Sequence, residues 1–122
     1  MVLKPTPAQK ILRDASVHKL EWALWQRLAQ AGLPRPTLEH PFAQAEGRKY
    51  RFDAAYVHQC VGIEVEGGIW TQGRHNRGGG FEEDCKKYSL AAALGWRVIR
   101  VTDSMILDGS AVELIQRALV YA

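Results

Sequence analysis

The stretch that most constrains this chain is residues 50–70, YRFDAAYVHQCVGIEVEGGIW, which reads as two short strands joined by a tight turn. With a two-residue loop at His58-Gln59, Val57 pairs with Cys60, and counting outward sets Tyr56 against Val61, Ala54 against Ile63 and Phe52 against Val65. Every partner on that face is apolar, as a half-buried hairpin requires. The same count places Asp53 directly across from Glu64. Glu66 lies two residues further along, and because side chains alternate it shares a face with Glu64.

Like charges directly opposed in a sheet are destabilising. A hairpin that keeps Asp53, Glu64 and Glu66 on one patch therefore points to a divalent cation, and an all-oxygen donor set suits Mg²⁺ or Mn²⁺. The competing reading is a loose register or a longer turn that leaves the carboxylates solvated at a sheet edge. The apolar face falls into place in the same register that unites the acids, which favours the metal.

The whole chain, residues 1–122, fits one domain with a core of modest size. No apolar run approaches the roughly 18 residues of a membrane span. The segment MVLKPTPAQK lacks the apolar centre of a signal peptide, so the expected compartment is the cytoplasm, with no membrane partner. Cys60 and Cys85 form no CxxC pair and are expected to be small buried thiols. The net charge of +3 permits a nucleic-acid partner without requiring one. Arg74, His75, Arg77, Lys86 and Lys87 cluster just after the acidic hairpin, and an acidic metal pocket beside a basic rim suits a phosphodiester substrate.

Residues 6–31 read as a long first helix, with Thr6 as cap, Pro7 in the first turn, and Val17, Leu20, Leu24 and Leu28 at helical spacing beside Trp25. Glu21 falls inside that apolar stripe. It either reaches water at the margin, pairing with Arg27 or Lys19, or supplies a fourth carboxylate to the metal site. Residues 33–41, LPRPTLEHP, read as a proline-punctuated connector, and residues 42–46 as a short strand turning at Gly47 into the hairpin. Residues 67–80, GGIWTQGRHNRGGG, form a glycine-rich loop that is no P-loop, because no GK[ST] follows. In it Arg74, His75 and Arg77 can hold phosphate, His75 being otherwise an exposed loop residue, and Trp70 either stacks on a base or packs in the core.

A second helix is expected over residues 81–94, with Phe81, Cys85, Tyr88 and Ala92 buried and Gly95 ending it. Lys87 sits near one edge of that stripe, either as a solvated lysine or within reach of a scissile phosphate. Residues 96–102, WRVIRVT, read as a half-buried strand beside the hairpin. Residues 109–121 read as a closing helix capped by Ser110, with Glu113 in the capping box and Val112, Ile115 and Leu119 inward. The order is α-β-β-β-α-β-α.

This order, with Asp53 and Glu64-Val65-Glu66 on the hairpin, resembles the PD-(D/E)XK nuclease superfamily. The stretch IEVEGGIWTQGRH, followed by a D-x-x-K helix and GWRVIRVT, is most similar to small domains related to the very-short-patch-repair endonucleases, including single-domain proteins of phages and prophages. The resemblance spans roughly residues 21–102 and implies an α/β (α+β) restriction-endonuclease-like core, a mixed four-stranded sheet flanked by helices. It implies that Asp53 and Glu64 are the metal-binding acids and that Glu21 is the first-helix acid found in many members. Glu66 stands where the motif usually has lysine, so its task falls to Glu66 acting through a water, or to Lys87, His75 or Arg74.

The activity implied is that of a Mg²⁺-dependent endonuclease or nickase hydrolysing DNA, with Asp53, Glu64 and Glu66 holding the metal and the attacking water. The alternatives are a catalytically impaired DNA-binding module on the nuclease fold, or a subunit of a DNA-processing complex. Cutting both strands generally requires two active sites, so a homodimer is the expectation from the chemistry.

Overall fold

The computed structural model describes residues 6–67 and 79–120, and within helix α1 the side chains of residues 9–17 lie outside the description. The expectations for Trp70, Arg74, His75 and Arg77 fall outside the described residues. The elements run α1 (Pro7–Gln30), β1 (Thr37–Pro41), a 3-10 turn (Gln44–Glu46), β2 (Arg51–Tyr56), β3 (Val61–Glu66), α2 (Gly79–Ala93), β4 (Arg97–Thr102), α3 (Asp103–Leu107) and α4 (Ser110–Val120). The four strands make one sheet in the order β1-β2-β3-β4. β1, β2 and β3 are antiparallel neighbours, and β4 joins β3 in parallel after the α2 crossover. This is the expected mixed sheet flanked by helices, with the five-residue α3 added before the closing helix.

The hairpin register is the one the sequence predicts: Tyr56 pairs with Val61, Ala55 with Gly62 and Ala54 with Ile63. The turn is wider than a two-residue loop. Val57 and Cys60 belong to it, the Cys60 N–H donating to the Val57 carbonyl (3.1 Å) with Cys60 itself at φ 55°.

One face of the sheet carries the larger core. Ala54, Tyr56, Val61, Ile63, Val65 and Val101 meet Leu24 and Leu28 of α1, Ile106 of α3, and Ala111 and Ile115 of α4. Arg27 ties α1 to the end of α3, its guanidinium donating to the carbonyls of Ile106 (2.7 Å) and Leu107 (3.1 Å). The opposite face, under α2, holds a smaller aromatic core of Phe52, Ala55 and Ala91 with Phe42, Trp96 and Val98. Phe52 stacks on Phe42 at a centroid distance of 4.1 Å and meets Trp96 edge-on at 5.1 Å.

Phe52 therefore does not sit opposite Val65 on the α1 face. It shares a face with Ala55, so the in–out alternation of β2 breaks between Phe52 and Ala54. β1 is irregular at the same level. The β1–β2 ladder passes from Leu38↔Ala54 to His40↔Phe52 over Glu39, whose backbone is left-handed at φ 52°. The β2–β3 ladder stops at Ala54↔Ile63. Gly62 accepts the displaced ring: a Cβ there would lie 2.7 Å from Phe52.

Other local expectations are corrected. The strand lies at Thr37–Pro41, inside the supposed connector, and not at residues 42–46, where Phe42 joins the aromatic core and a 3-10 turn ends at Gly47 (φ 72°). Prolines flanking a strand are tolerated because β1 is an edge. α2 buries Ala91, and half-buries Lys87 and Tyr88, while Phe81, Cys85 and Ala92 are exposed. The helix turns this way because the sheet beneath offers both an aromatic core and the Glu64 carboxylate. Cys85 is exposed and Cys60 half-buried, so neither is a fully buried thiol. Asp108, not Ser110, supplies the capping bond of α4, accepting the Ser110 N–H at 2.9 Å. Among the described residues no helix is long and apolar enough to cross a membrane.

Candidate metal centre

The broken alternation of β2 places Asp53 on the α1 side of the sheet, where it lines a cleft of about 590 Å³ together with Glu21 and Glu39. One carboxylate oxygen from each of these three residues lies within 4.8 Å of the others. Glu21 reaches the cleft from the apolar stripe of α1. Its side chain is largely buried, and its neighbour is His18 (Nδ1 at 3.3 Å), not Arg27 or Lys19. Burial raises its pKa above the ordinary carboxylate range against the opposing pull of His18, with Glu39 adding to the rise. Glu39 stands exposed on the edge strand, 3.5 Å from Arg51.

Glu64 completes the group from β3. Where the β2–β3 ladder ends, the two carboxylates take over as acceptors for the main chain: the Asp53 N–H donates to Glu64 Oε2 (3.1 Å) and the Val65 N–H to Asp53 Oδ2 (2.7 Å). Two acids thus sit side by side, and Asp53 is pushed up from 3.8 to about 7. Burial is the main cause and the Glu64 charge the second. The Val65 N–H opposes them, and Glu21 adds a smaller rise.

The other oxygen of Glu64 faces α2. Glu64 Oε1 accepts from Lys87 Nζ and from the Tyr88 hydroxyl (3.0 Å). The Tyr88 hydroxyl is held well above the usual phenol range, by burial first and by Glu64 second, so it remains a donor. Lys87, expected near the edge of a stripe, is the residue that α2 presents to the acids. It is bonded to Glu64 with both side chains mostly buried.

Glu66 is separate from this group. Arg100 of β4 holds it in a two-pronged ion pair, Nε at 2.8 Å and the terminal nitrogen at 2.7 Å, while the same guanidinium lies 4.6 Å over the Tyr88 ring. Lys86 is exposed and pairs with Glu82 (3.4 Å) and Glu83 (3.8 Å). The structure therefore brings together Glu21, Asp53, Glu64 and Lys87, and leaves Glu66 and Lys86 in ion pairs of their own. Glu39 and Tyr88 are the additions. Glu39 escapes a reading of the sequence because its strand lies between prolines.

The donor set fits a hard cation. It is all carboxylate oxygen, contributed by α1, β1 and β2, and a divalent charge bound there would offset both the burial of Asp53 and the neighbouring Glu64 charge that raise its pKa. No family model matches this chain, and no curated protein or solved structure matches it either.

Proposed function

We propose that the chain is a metal-dependent phosphodiesterase acting on DNA. The observation that carries this reading is the meeting of Asp53 and Glu64 where β2 and β3 part, with Glu21 and Glu39 on one side and Lys87 on the other. Glu21, Glu39 and Asp53 would hold the cation, with Glu64 bridging from Asp53 to Lys87. Mg²⁺ or Mn²⁺ bound there would supply Lewis acidity toward a phosphate oxygen and toward a water.

The chain's own groups do the rest. Lys87 occupies the task that Glu66, in the place of the superfamily's motif lysine, leaves open. Its ammonium, delivered from α2 instead of β3, sets positive charge on Glu64 and so offsets the negative charge that this carboxylate brings to Asp53. The Tyr88 hydroxyl fixes the Glu64 oxygen that Lys87 also contacts, so the carboxylate has a single orientation. Asp53 holds its proton more tightly than an ordinary carboxylate, so cation binding by this residue would be coupled to release of that proton. Glu66, engaged by Arg100, would shape the rim and not the metal shell.

A second reading has its own observation. Lys87 and Arg100 neutralise Glu64 and Glu66, two of the three hairpin acids, as in a nucleic-acid-binding module without turnover. The test is cleavage of plasmid, linear and branched DNA in Mg²⁺, Mn²⁺ or EDTA by the wild type, Asp53→Ala and Lys87→Ala. The phosphodiesterase reading expects metal-dependent cutting that both substitutions abolish. Binding of DNA without cutting by any variant selects the second reading, and cutting that survives Asp53→Ala overturns the first.

A further inference from the structure

The cleft that ends at the carboxylates is apolar and aromatic over most of its remaining wall. Trp22 and Trp25 of α1 form one side, and Pro34, Pro36 and Leu38 the other. Trp22 is 63% exposed and Leu38 39%, so two large apolar side chains lie open to solvent beside the acids. Trp22 directly follows Glu21, and Leu38 directly precedes Glu39.

We propose that this cleft seats an unpaired nucleobase stacked against Trp22, with the phosphate of the same nucleotide at the Glu21–Glu39–Asp53 end. The inference rests on the phosphodiesterase reading and names its substrate class: a single-stranded or extrahelical nucleotide. The division of polarity carries it. Once a cation sits on the carboxylates, one end of the cleft attracts phosphate, Arg35 adds a second positive charge at the wall, and the rest offers π-faces and prolines. A nucleotide has the same division, an anionic phosphate at one end and a flat, weakly polar base at the other. The volume of about 590 Å³ lies within the roughly 300–1,000 Å³ of small-ligand sites. A base in an intact duplex is stacked between its neighbours and presents only an edge, so only an unpaired base reaches a concave tryptophan wall.

The test is equilibrium binding of fluorescein-labelled oligonucleotides in Ca²⁺ and in EDTA, using an intact duplex, the same duplex with a three-nucleotide bulge, and that bulge made abasic. The proteins are wild type, Trp22→Ala and Trp22→Phe, with folding checked by thermal melts. Wild type is expected to prefer the bulge over the duplex by about tenfold or more, and the abasic bulge to lose that preference. Trp22→Ala should lose about tenfold on the bulge while duplex affinity stays unchanged, and Trp22→Phe should restore most of it. Equal binding of duplex and bulge, no binding of either, or a Trp22→Ala indistinguishable from wild type overturns the proposal. The two readings fail separately. A lost base preference with Asp53-dependent cleavage intact removes the base pocket alone, and a retained preference without any cleavage removes the phosphodiesterase.

Discussion

Asp53→Asn should stabilise the metal-free protein, and the gain should grow with pH. A carboxylate raised from 3.8 to about 7 keeps its proton in the native state while the unfolded chain has already released it. Between about pH 4 and pH 7 the native state thus binds more protons than the unfolded one, so stability falls as pH rises through that window. The full difference would be about 4 kcal/mol above pH 7 at 1.36 kcal/mol per pKa unit. The carboxyl is only half-buried beside an open cleft, and solvent screening reduces this to about 1–2 kcal/mol. The asparagine keeps an oxygen for the Val65 N–H and turns an amide toward Glu64, so no hydrogen bond is abandoned. For a chain of this length, thermal melts in EDTA at pH 8 should show the variant about 4–8 °C above wild type. At pH 5, where wild type is itself protonated at Asp53, the gap should mostly close. A variant less stable than wild type at pH 8, or a gap equal at both pH values, would refute the raised pKa of Asp53 and the electrostatic support it lends to a cation.

Three further outcomes follow from the same geometry. Mn²⁺ at about one hundred times its dissociation constant should raise wild-type stability by about 2.7 kcal/mol and leave Asp53→Ala unmoved, read by thermal melts with and without EDTA. Lys87→Met should destabilise by about 3 kcal/mol, because Glu64 keeps its burial and loses its charged partner, and denaturant titration would show it as a lowered midpoint at unchanged slope. Gly62→Ala should cost about 1–3 kcal/mol through the 2.7 Å approach to Phe52, and should also weaken Mn²⁺ binding measured by calorimetry.

The turn-proximal half of the hairpin was legible in the sequence because alternation gathers Tyr56, Val61, Ala54 and Ile63 on one face, whereas the two-residue turn and the Phe52–Val65 pairing were not what the chain adopts. Glu21 was half legible: its helical spacing among Leu20, Leu24 and Trp25 put it in the apolar stripe but left open the solvent margin or the site, and the structure places it in the cleft. β1 was not legible, because the prolines that flank it mimic a connector and only its pairing with β2 reveals a strand. The face of α2 was not legible either. Apolar spacing selects Phe81, Cys85 and Tyr88, whereas the sheet below selects Ala91 for its aromatic core and Lys87 for Glu64. A local stripe carries no information about a buried charge on the partner surface.

One backbone irregularity joins the core to the candidate centre. A left-handed Glu39 costs roughly 1–2 kcal/mol in a non-glycine residue, against which its exposed ion pair with Arg51 returns little. The return lies on the other side of the sheet, where Phe52 stacks with Phe42 and Trp96 in space that Gly62 leaves open. If β2 kept strict alternation, Phe52 would join Ala54 on the α1 face, and Asp53 would turn to the α2 side with Glu64 and Glu66. That is the arrangement the hairpin count predicts, and it would leave Glu21 and Glu39 without their central partner. The placement of Asp53 in the cleft therefore depends on a glycine and a phenylalanine that carry no charge. A loss of metal affinity in Gly62→Ala, in a protein that still folds, is the signature of that dependence.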